Sequence, residues 1–291
     1  MFTGVYVAIV TPFSGGRVDE EAFRRLINHL IAQGVDGLVP CGTTGESPTL
    51  SHDEHKHVID LAVKEIKGRV KVLAGTGSNS TEEAIDLTRH AKQAGADGAL
   101  MVSPYYNKPT QEGIYRHFKA VAEAVGLPIV LYNIPGRTSS NVLPETIARL
   151  AKIKEIVGVK EATGDLNQMS QTIASCGPDF DVVSGDDSLT LPLLAVGGKG
   201  VISVAAHVVP REMIEMGRAF QAGNVARARE IHYKLLPLFK VLFIETNPIP
   251  IKAALAMMGM IKPEYRLPLC PMNPDNQAKL RQVMVDLGLI E

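Results

Sequence analysis

Residues 156–165 read Ile156-Val157-Gly158-Val159-Lys160-Glu161-Ala162-Thr163-Gly164-Asp165. A short apolar run ends in a lysine, and polar residues and glycine follow at once. A run of this length, bounded by turn residues, reads as a buried strand of a parallel sheet. Lys160 then stands at the carboxyl end of that strand. In a closed parallel barrel the carboxyl ends of the strands form the active face. A desolvated amine there loses its proton more readily and can attack a carbonyl carbon to form a Schiff base. The plainer alternative is a strand-end lysine whose stem snorkels to solvent.

Seven further short apolar runs surround this one, at 6–10, 37–40, 70–74, 98–102, 128–132, 181–184 and 200–204. The segments between them carry helical periodicity. Ala22, Phe23, Leu26, Ile27, Leu30 and Ile31 make one apolar stripe at i, i+3, i+4 spacing. Ser51 with Glu54 and Ser80 with Glu83 have the spacing of capping boxes. Gly34, Gly95 and Gly126 sit where helices would end before the next strand. Eight strand–helix units predict an α/β fold, a (β/α)8 TIM barrel, over residues 1–224. A doubly wound open sheet is the alternative, but no G-x-G-x-x-G follows the first strand. After Pro210 the strand signals stop. Helical patterns at 211–222, 225–239, 248–258 and 274–287 predict the last barrel helix and a C-terminal three-helix extension over 225–291, with a proline-rich connector at 262–274.

Composition narrows the function. With 30 Lys and Arg against 31 Asp and Glu, the formal net charge is −1. Neither a nucleic-acid partner nor an anionic membrane surface is expected from that balance. Three cysteines with no C-x-x-C spacing argue against a disulfide framework or a cysteine zinc site. The N-terminal MFTGVYVAIVTPF has no basic segment and no long apolar stretch, so a signal peptide is not expected. No run approaches transmembrane length, and a cytoplasmic protein is expected.

The residues placed just after the strands would share one pocket. Cys41-Gly42-Thr43-Thr44-Gly45-Glu46-Ser47 suits a tight turn whose backbone N–H groups and hydroxyls can hold a carboxylate. Ser103-Pro104-Tyr105-Tyr106-Asn107 follows the fourth strand, Tyr132-Asn133-Ile134-Pro135-Gly136-Arg137-Thr138 ends the fifth, and Ser184-Gly185-Asp186-Asp187 ends the seventh. Together these supply an amine, phenols, hydroxyls and a guanidinium: a nucleophile, proton shuttles and carboxylate holders. No metal site is expected, since His207 is the one histidine near a strand end and Asp186–Asp187 is a weak oxygen-ligand pair. The loops after the last two strands lack a glycine-rich phosphate cradle.

GTTGES (42–47), SPYYNKP (103–109), YNIPGRT (132–138), GVKEATGD (158–165), SGDD (184–187) and NPIPIK (247–252) resemble the pyruvate-dependent Schiff-base lyases of the dihydrodipicolinate synthase and N-acetylneuraminate lyase group. The resemblance implies that Lys160 forms the imine with pyruvate and that Tyr132 moves protons beside it. It implies that Thr43 and Thr44 hold pyruvate's carboxylate. Thr44 and Tyr106 would complete a hydroxyl relay, with Tyr106 coming from the neighbouring subunit of at least a homodimer, commonly a homotetramer in this group. Gly185 and Ile202 would offer backbone carbonyls near the amine. Arg137 would clamp the carboxylate of the second substrate, aspartate semialdehyde. No cofactor is implied, because the lysine itself is the electron sink.

The intact second threonine and Arg137 resemble the synthase branch of the group. The alternatives are N-acetylneuraminate lyase, a 2-keto-3-deoxy sugar-acid aldolase, or a catalytically dead relative that acts as a binding protein. Bacterial members are often inhibited by lysine at a subunit interface. The corresponding positions here are Ser47, His52, His55, Asn79, Glu83 and Tyr105. Against that reading, Glu83 is expected to serve as the return half of a capping box, and Pro48 stands where alanine is expected.

Overall fold

The computed structural model describes residues 1–291. Eight parallel strands close into a barrel in sequence order. They run Gly4–Val7, Gly37–Leu38, Lys71–Gly75, Gly98–Val102, Ile129–Asn133, Ile156–Glu161, Asp181–Ser184 and Gly200–Ser203, and the last pairs with the first. Closure removes the open doubly wound sheet from consideration. The first strand begins and ends earlier than its apolar run suggests, because residues 8–10 already turn into the loop at the mouth. A two-stranded antiparallel hairpin, Phe13–Ser14 with Arg17–Val18, was not anticipated.

Alternation along the strands sorts side chains into two cores. Phe2, Tyr6, Ala8, Val39, Leu73, Leu100, Val130, Tyr132, Val183 and Ile202 fill the barrel interior. Their sequence neighbours face the surrounding helices and join one cluster of 68 buried residues. Gly37 is needed inside, since a Cβ there would lie 2.1 Å from a Tyr6 ring carbon. The amino-terminal end of the barrel is closed by Asp181, which accepts from the Phe2 amide at 2.8 Å and from Lys199 Nζ at 3.0 Å.

The helices follow the expected pattern. Glu20–Ala32 starts at Asp19, whose side chain accepts from the Ala22 amide, and buries Ala22, Phe23, Leu26, Ile27 and Leu30. Gly34, Gly95 and Gly126 all take positive φ at helix ends. His52–Ile66 opens with both halves of the Ser51–Glu54 capping box. Thr81–Ala94 has only the forward half, from the Glu83 amide to Ser80. The Glu83 carboxylate turns instead to Ser78 and His52. The expected return bond is therefore absent, and that carboxylate faces a cleft.

After the last barrel helix, Pro210–Gln221, come Val225–Val241, Ile249–Met257 and Pro274–Asp286. Leu235, Leu238, Ile251, Leu255 and Leu280 from these helices belong to the same large apolar cluster as the barrel's outer face. At the barrel mouth, Lys252 and Glu46 form a fully buried ion pair, with the Phe13 ring 4.4 Å from the ammonium. No helix is long and apolar enough to cross a membrane.

Candidate active site

Lys160 lies on the sixth strand, in register with Tyr132 on the fifth and Val183 on the seventh. Its side chain is 5% exposed, and its ammonium sits 4.2 Å from the centre of the Tyr132 ring. Burial lowers the Lys160 pKa from its ordinary 10.5 to about 8, against the opposing charge of Asp187 and with a further push from Arg137. Desolvation penalises the charged form, and a positive neighbour adds to that. Gly185 makes room for the lysine stem: a Cβ there would be 3.0 Å from Lys160 Cε and 2.7 Å from the Ala162 methyl.

Asp187 is buried behind the amine. Its carboxylate accepts from the Ser203 hydroxyl and from the Val204 and Ala205 amides at 3.1 and 2.9 Å. Burial raises its pKa in spite of those donors. Asp186 caps the following turn through the Ser188 amide at 2.8 Å. His207, the other candidate ligand, accepts from the Val10 amide at 3.1 Å and holds the Val204 carbonyl through Nδ1 at 2.9 Å, so both ring nitrogens are occupied structurally.

Beside Tyr132, in the same cavity wall, lies the loop that follows the second strand. Cys41 and Glu46 both take positive φ, which bends residues 41–46 into a tight cap. Burial pushes the Tyr132 phenol up to about 12, opposed by Arg137 and by the neighbouring Thr43 hydroxyl. Thr44 is 2% exposed, and its hydroxyl oxygen accepts from Asn247 Nδ2 at 2.9 Å. Arg137, on the single-turn helix Pro135–Thr138, donates to the Asn247 carbonyl at 3.2 Å. Ile202 faces the interior from the eighth strand. One cavity of about 430 Å³ is lined by Thr43, Tyr132 and Arg137 and extends to Ser47, His52, His55, Glu83 and Tyr105. Lys160 does not itself line this cavity; Tyr132, which does, has its ring centre 4.2 Å from the Lys160 ammonium.

The sequence matches the dihydrodipicolinate synthetase family over residues 1–286. The chain belongs to that family. A relative from Nitratidesulfovibrio vulgaris, named 4-hydroxy-tetrahydrodipicolinate synthase, is 61% identical over 290 residues, covering 99% of each chain. The crystal structure of dihydrodipicolinate synthase from Aquifex aeolicus superposes with a TM-score of 0.98 at 55% identity, covering 99% of both chains. The enzyme of Cyanidioschyzon merolae with lysine bound gives a TM-score of 0.97 at 45% identity, again over 99% of both.

In this dihydrodipicolinate synthetase family member five of the six candidate lysine-site residues, Ser47, His52, His55, Glu83 and Tyr105, line that one cavity. His52 Nε2 is 2.6 Å from Glu83 Oε1. His55 is buried, with Nε2 2.8 Å from the Gly75 carbonyl and Nδ1 3.3 Å from the Ser47 hydroxyl. Burial lowers its pKa, so the neutral ring donates to Gly75 and accepts from Ser47. Asn79 does not line the cavity. Its amide braces the Tyr105 carbonyl at 3.1 Å, and Asn107 returns a bond to the Asn79 carbonyl at 3.0 Å. That exchange holds the turn in which Tyr106 takes φ 73° and stands 88% exposed, away from this chain's own cavity.

Asn247, Lys252 and Glu46 enter the sequence reading only inside the NPIPIK and GTTGES stretches, and Asp187 only as half of a weak oxygen-ligand pair; none is given its role in the site there. For Lys252 a signal existed. A lone lysine in the apolar stretch Ile249-Pro250-Ile251-Lys252-Ala253-Ala254-Leu255 has to find a buried counter-charge. Asn247 opens the NPIPIK stretch, but nothing local in the sequence shows what its side chain reaches.

Proposed function

We propose that this chain condenses pyruvate with aspartate 4-semialdehyde through an imine at Lys160, giving 4-hydroxy-tetrahydrodipicolinate on the route to diaminopimelate and lysine. One observation carries the reading: a buried amine with a lowered pKa, set against a phenol ring on the neighbouring strand. The neutral amine attacks the keto carbon of pyruvate, and water leaves as the imine forms. Tyr132 moves the protons of that dehydration. Thr43 and Thr44 hold the pyruvate carboxylate. The iminium draws electrons from the methyl group, which loses a proton to give the enamine. The enamine carbon attacks the aldehyde, and the substrate's own amine then displaces Lys160 as the ring closes. Arg137, exposed at the rim, receives the second carboxylate. Gly185 and Ile202 line the amine's approach.

Tyr106 points out of its own protomer, which supports its entering a neighbour's site to join Thr44. The working enzyme is then a homodimer at least, or a homotetramer, in the cytoplasm. Lysine is proposed as an inhibitor bound in the arm of the cavity at His52, Glu83 and Tyr105, where the Glu83 carboxylate is free of the helix cap. A coupled assay with pyruvate plus aspartate semialdehyde, set against pyruvate plus N-acetylmannosamine, tests the reading. Turnover is expected with the first pair. Turnover confined to the second would reassign the chain to sugar-acid chemistry.

A further inference from the structure

Asn247 lies between the helices Val225–Val241 and Ile249–Met257, in the C-terminal extension, yet it reaches the mouth of the barrel. It is 5% exposed. Its Nδ2 donates to Thr44 Oγ1 at 2.9 Å, and its main-chain carbonyl accepts from Arg137 at 3.2 Å. Its Oδ1 is buried and has no hydrogen-bond partner in the protein. The Thr44 bond is therefore the one hydrogen bond of a buried amide, and an apolar residue would fill the same space without that desolvation. The buried Glu46–Lys252 pair, one helical turn further on, fastens the same segment to the same loop.

A threonine hydroxyl has one hydrogen to give and two lone pairs to receive with. With the Asn247 amide on one lone pair, the Thr44 hydrogen cannot turn toward Asn247 and has to be given elsewhere. The other lone pair stays open to a donor. That arrangement suits a hydroxyl that passes protons between two phenols. We propose that Asn247 is a positioning residue that fixes the direction of the Thr44 hydroxyl in the proton relay, while its carbonyl steers Arg137 toward the second substrate. This rests on the function proposed above and adds to it a residue outside the strand-end motifs.

The test is a double-mutant cycle on the full chain, using Asn247→Ala, Thr44→Val and the pair, with Asn247→Asp beside them. Asn247→Ala is expected to lower kcat by about 10- to 100-fold, within the range of a proton-transfer contribution. The KM for pyruvate should move by less than about threefold, and the double variant should be no slower than Thr44→Val alone. Multiplying effects, or a loss confined to KM, would overturn the proposal. Asn247→Asp keeps the shape and the main-chain carbonyl, so it carries the test even if the alanine variant fails to fold. Ionised, its side chain can only accept, and it captures the Thr44 hydrogen. Protonated, it can donate again. Its activity relative to the unaltered enzyme is expected to recover as pH falls, and a flat ratio from mildly alkaline to mildly acidic pH would overturn the proposal. If the unaltered chain shows no turnover with pyruvate and aspartate semialdehyde, the functional reading fails and this inference falls with it.

Discussion

Lys160 and Tyr132 face each other across the seam between the fifth and sixth strands, paired in register, with the ammonium 4.2 Å from the ring centre. Parallel pairing at that register sends both side chains into the barrel interior, so the phenol covers the amine and keeps water from it. The strand pairing that closes the barrel thus also desolvates the nucleophile.

A pH dependence follows from that burial. With a pKa of about 8 rather than 10.5, roughly a quarter of the amine is neutral near pH 7.5, against about one part in a thousand at the ordinary value. The rate of imine formation with pyruvate is expected to rise with pH and level off just above 8. A stopped-flow profile that keeps climbing toward pH 10 would place the amine in water.

Gly185→Ala tests how tightly the lysine stem is held. The added methyl would press on Lys160 Cε at 3.0 Å and on the Ala162 methyl at 2.7 Å. A shift of the amine by about 1 Å is expected to lower kcat on the order of a hundredfold. The melting temperature should fall far less than for a core truncation, and comparing the two readouts separates misplacement from unfolding.

The Glu46–Lys252 pair ties the extension to the Thr43–Thr44 loop, and both side chains are fully buried. Lys252→Met leaves Glu46 without its counter-charge and is expected to destabilise by about 3–5 kcal/mol. Glu46→Gln together with Lys252→Met removes both charges and should recover most of that loss. Chemical denaturation of the single and double variants checks the pattern.

Glu161 points away from the barrel axis, toward Asn133 and Gln168, at 3.1 and 3.5 Å. Burial raises its pKa from 4.5 to about 7, against those hydrogen bonds. A folded-state pKa above the unfolded one gives stability that is complete below pH 4.5 and is lost as pH rises through about 7. Glu161→Gln removes the titration. Its stability relative to the unaltered chain should therefore improve between pH 5 and pH 8.5, by on the order of 3 kcal/mol at most. Melting curves at the two pH values measure this, and an unchanged difference would mean that Glu161 does not titrate there.

Lysine inhibition has its own handle. Glu83 is held by His52 at 2.6 Å and by Ser78, and it lines the cavity arm. An added lysine ammonium would exchange for the His52 contact. Millimolar lysine is expected to lower turnover, and Glu83→Ala should raise the half-inhibiting concentration about ten- to a hundredfold, the worth of one charge-assisted hydrogen bond. Turnover indifferent to lysine in the unaltered chain would remove the proposal.

The barrel was legible because strands buried on both faces read as short apolar runs, and the helices between them carry their own caps and glycine stops. Gly37–Leu38 was readable by its place between two helices rather than by its length. The hairpin at 13–18 was not, since two residues on each side of Gly15-Gly16 make no period. Within the site, Lys160, Tyr132 and the Thr43–Thr44 turn could be found because each closes a strand. Asn247 and Lys252 reach Thr44 and Glu46 across 203 and 206 residues of chain, so even where a lone lysine in an apolar stretch calls for a counter-charge, its partner cannot be read locally. The spacing of Glu83 from Ser80 fits a capping box, but Ser78 and His52 hold that carboxylate, so only the expected return bond is missing.

The most direct measurement incubates the protein with pyruvate and sodium borohydride, followed by peptide mass spectrometry. The expected result is one reduced pyruvate adduct per chain, located on Lys160 and absent from Lys160→Met. An unmodified Lys160, or an adduct spread over surface lysines and unchanged in the variant, would contradict the imine.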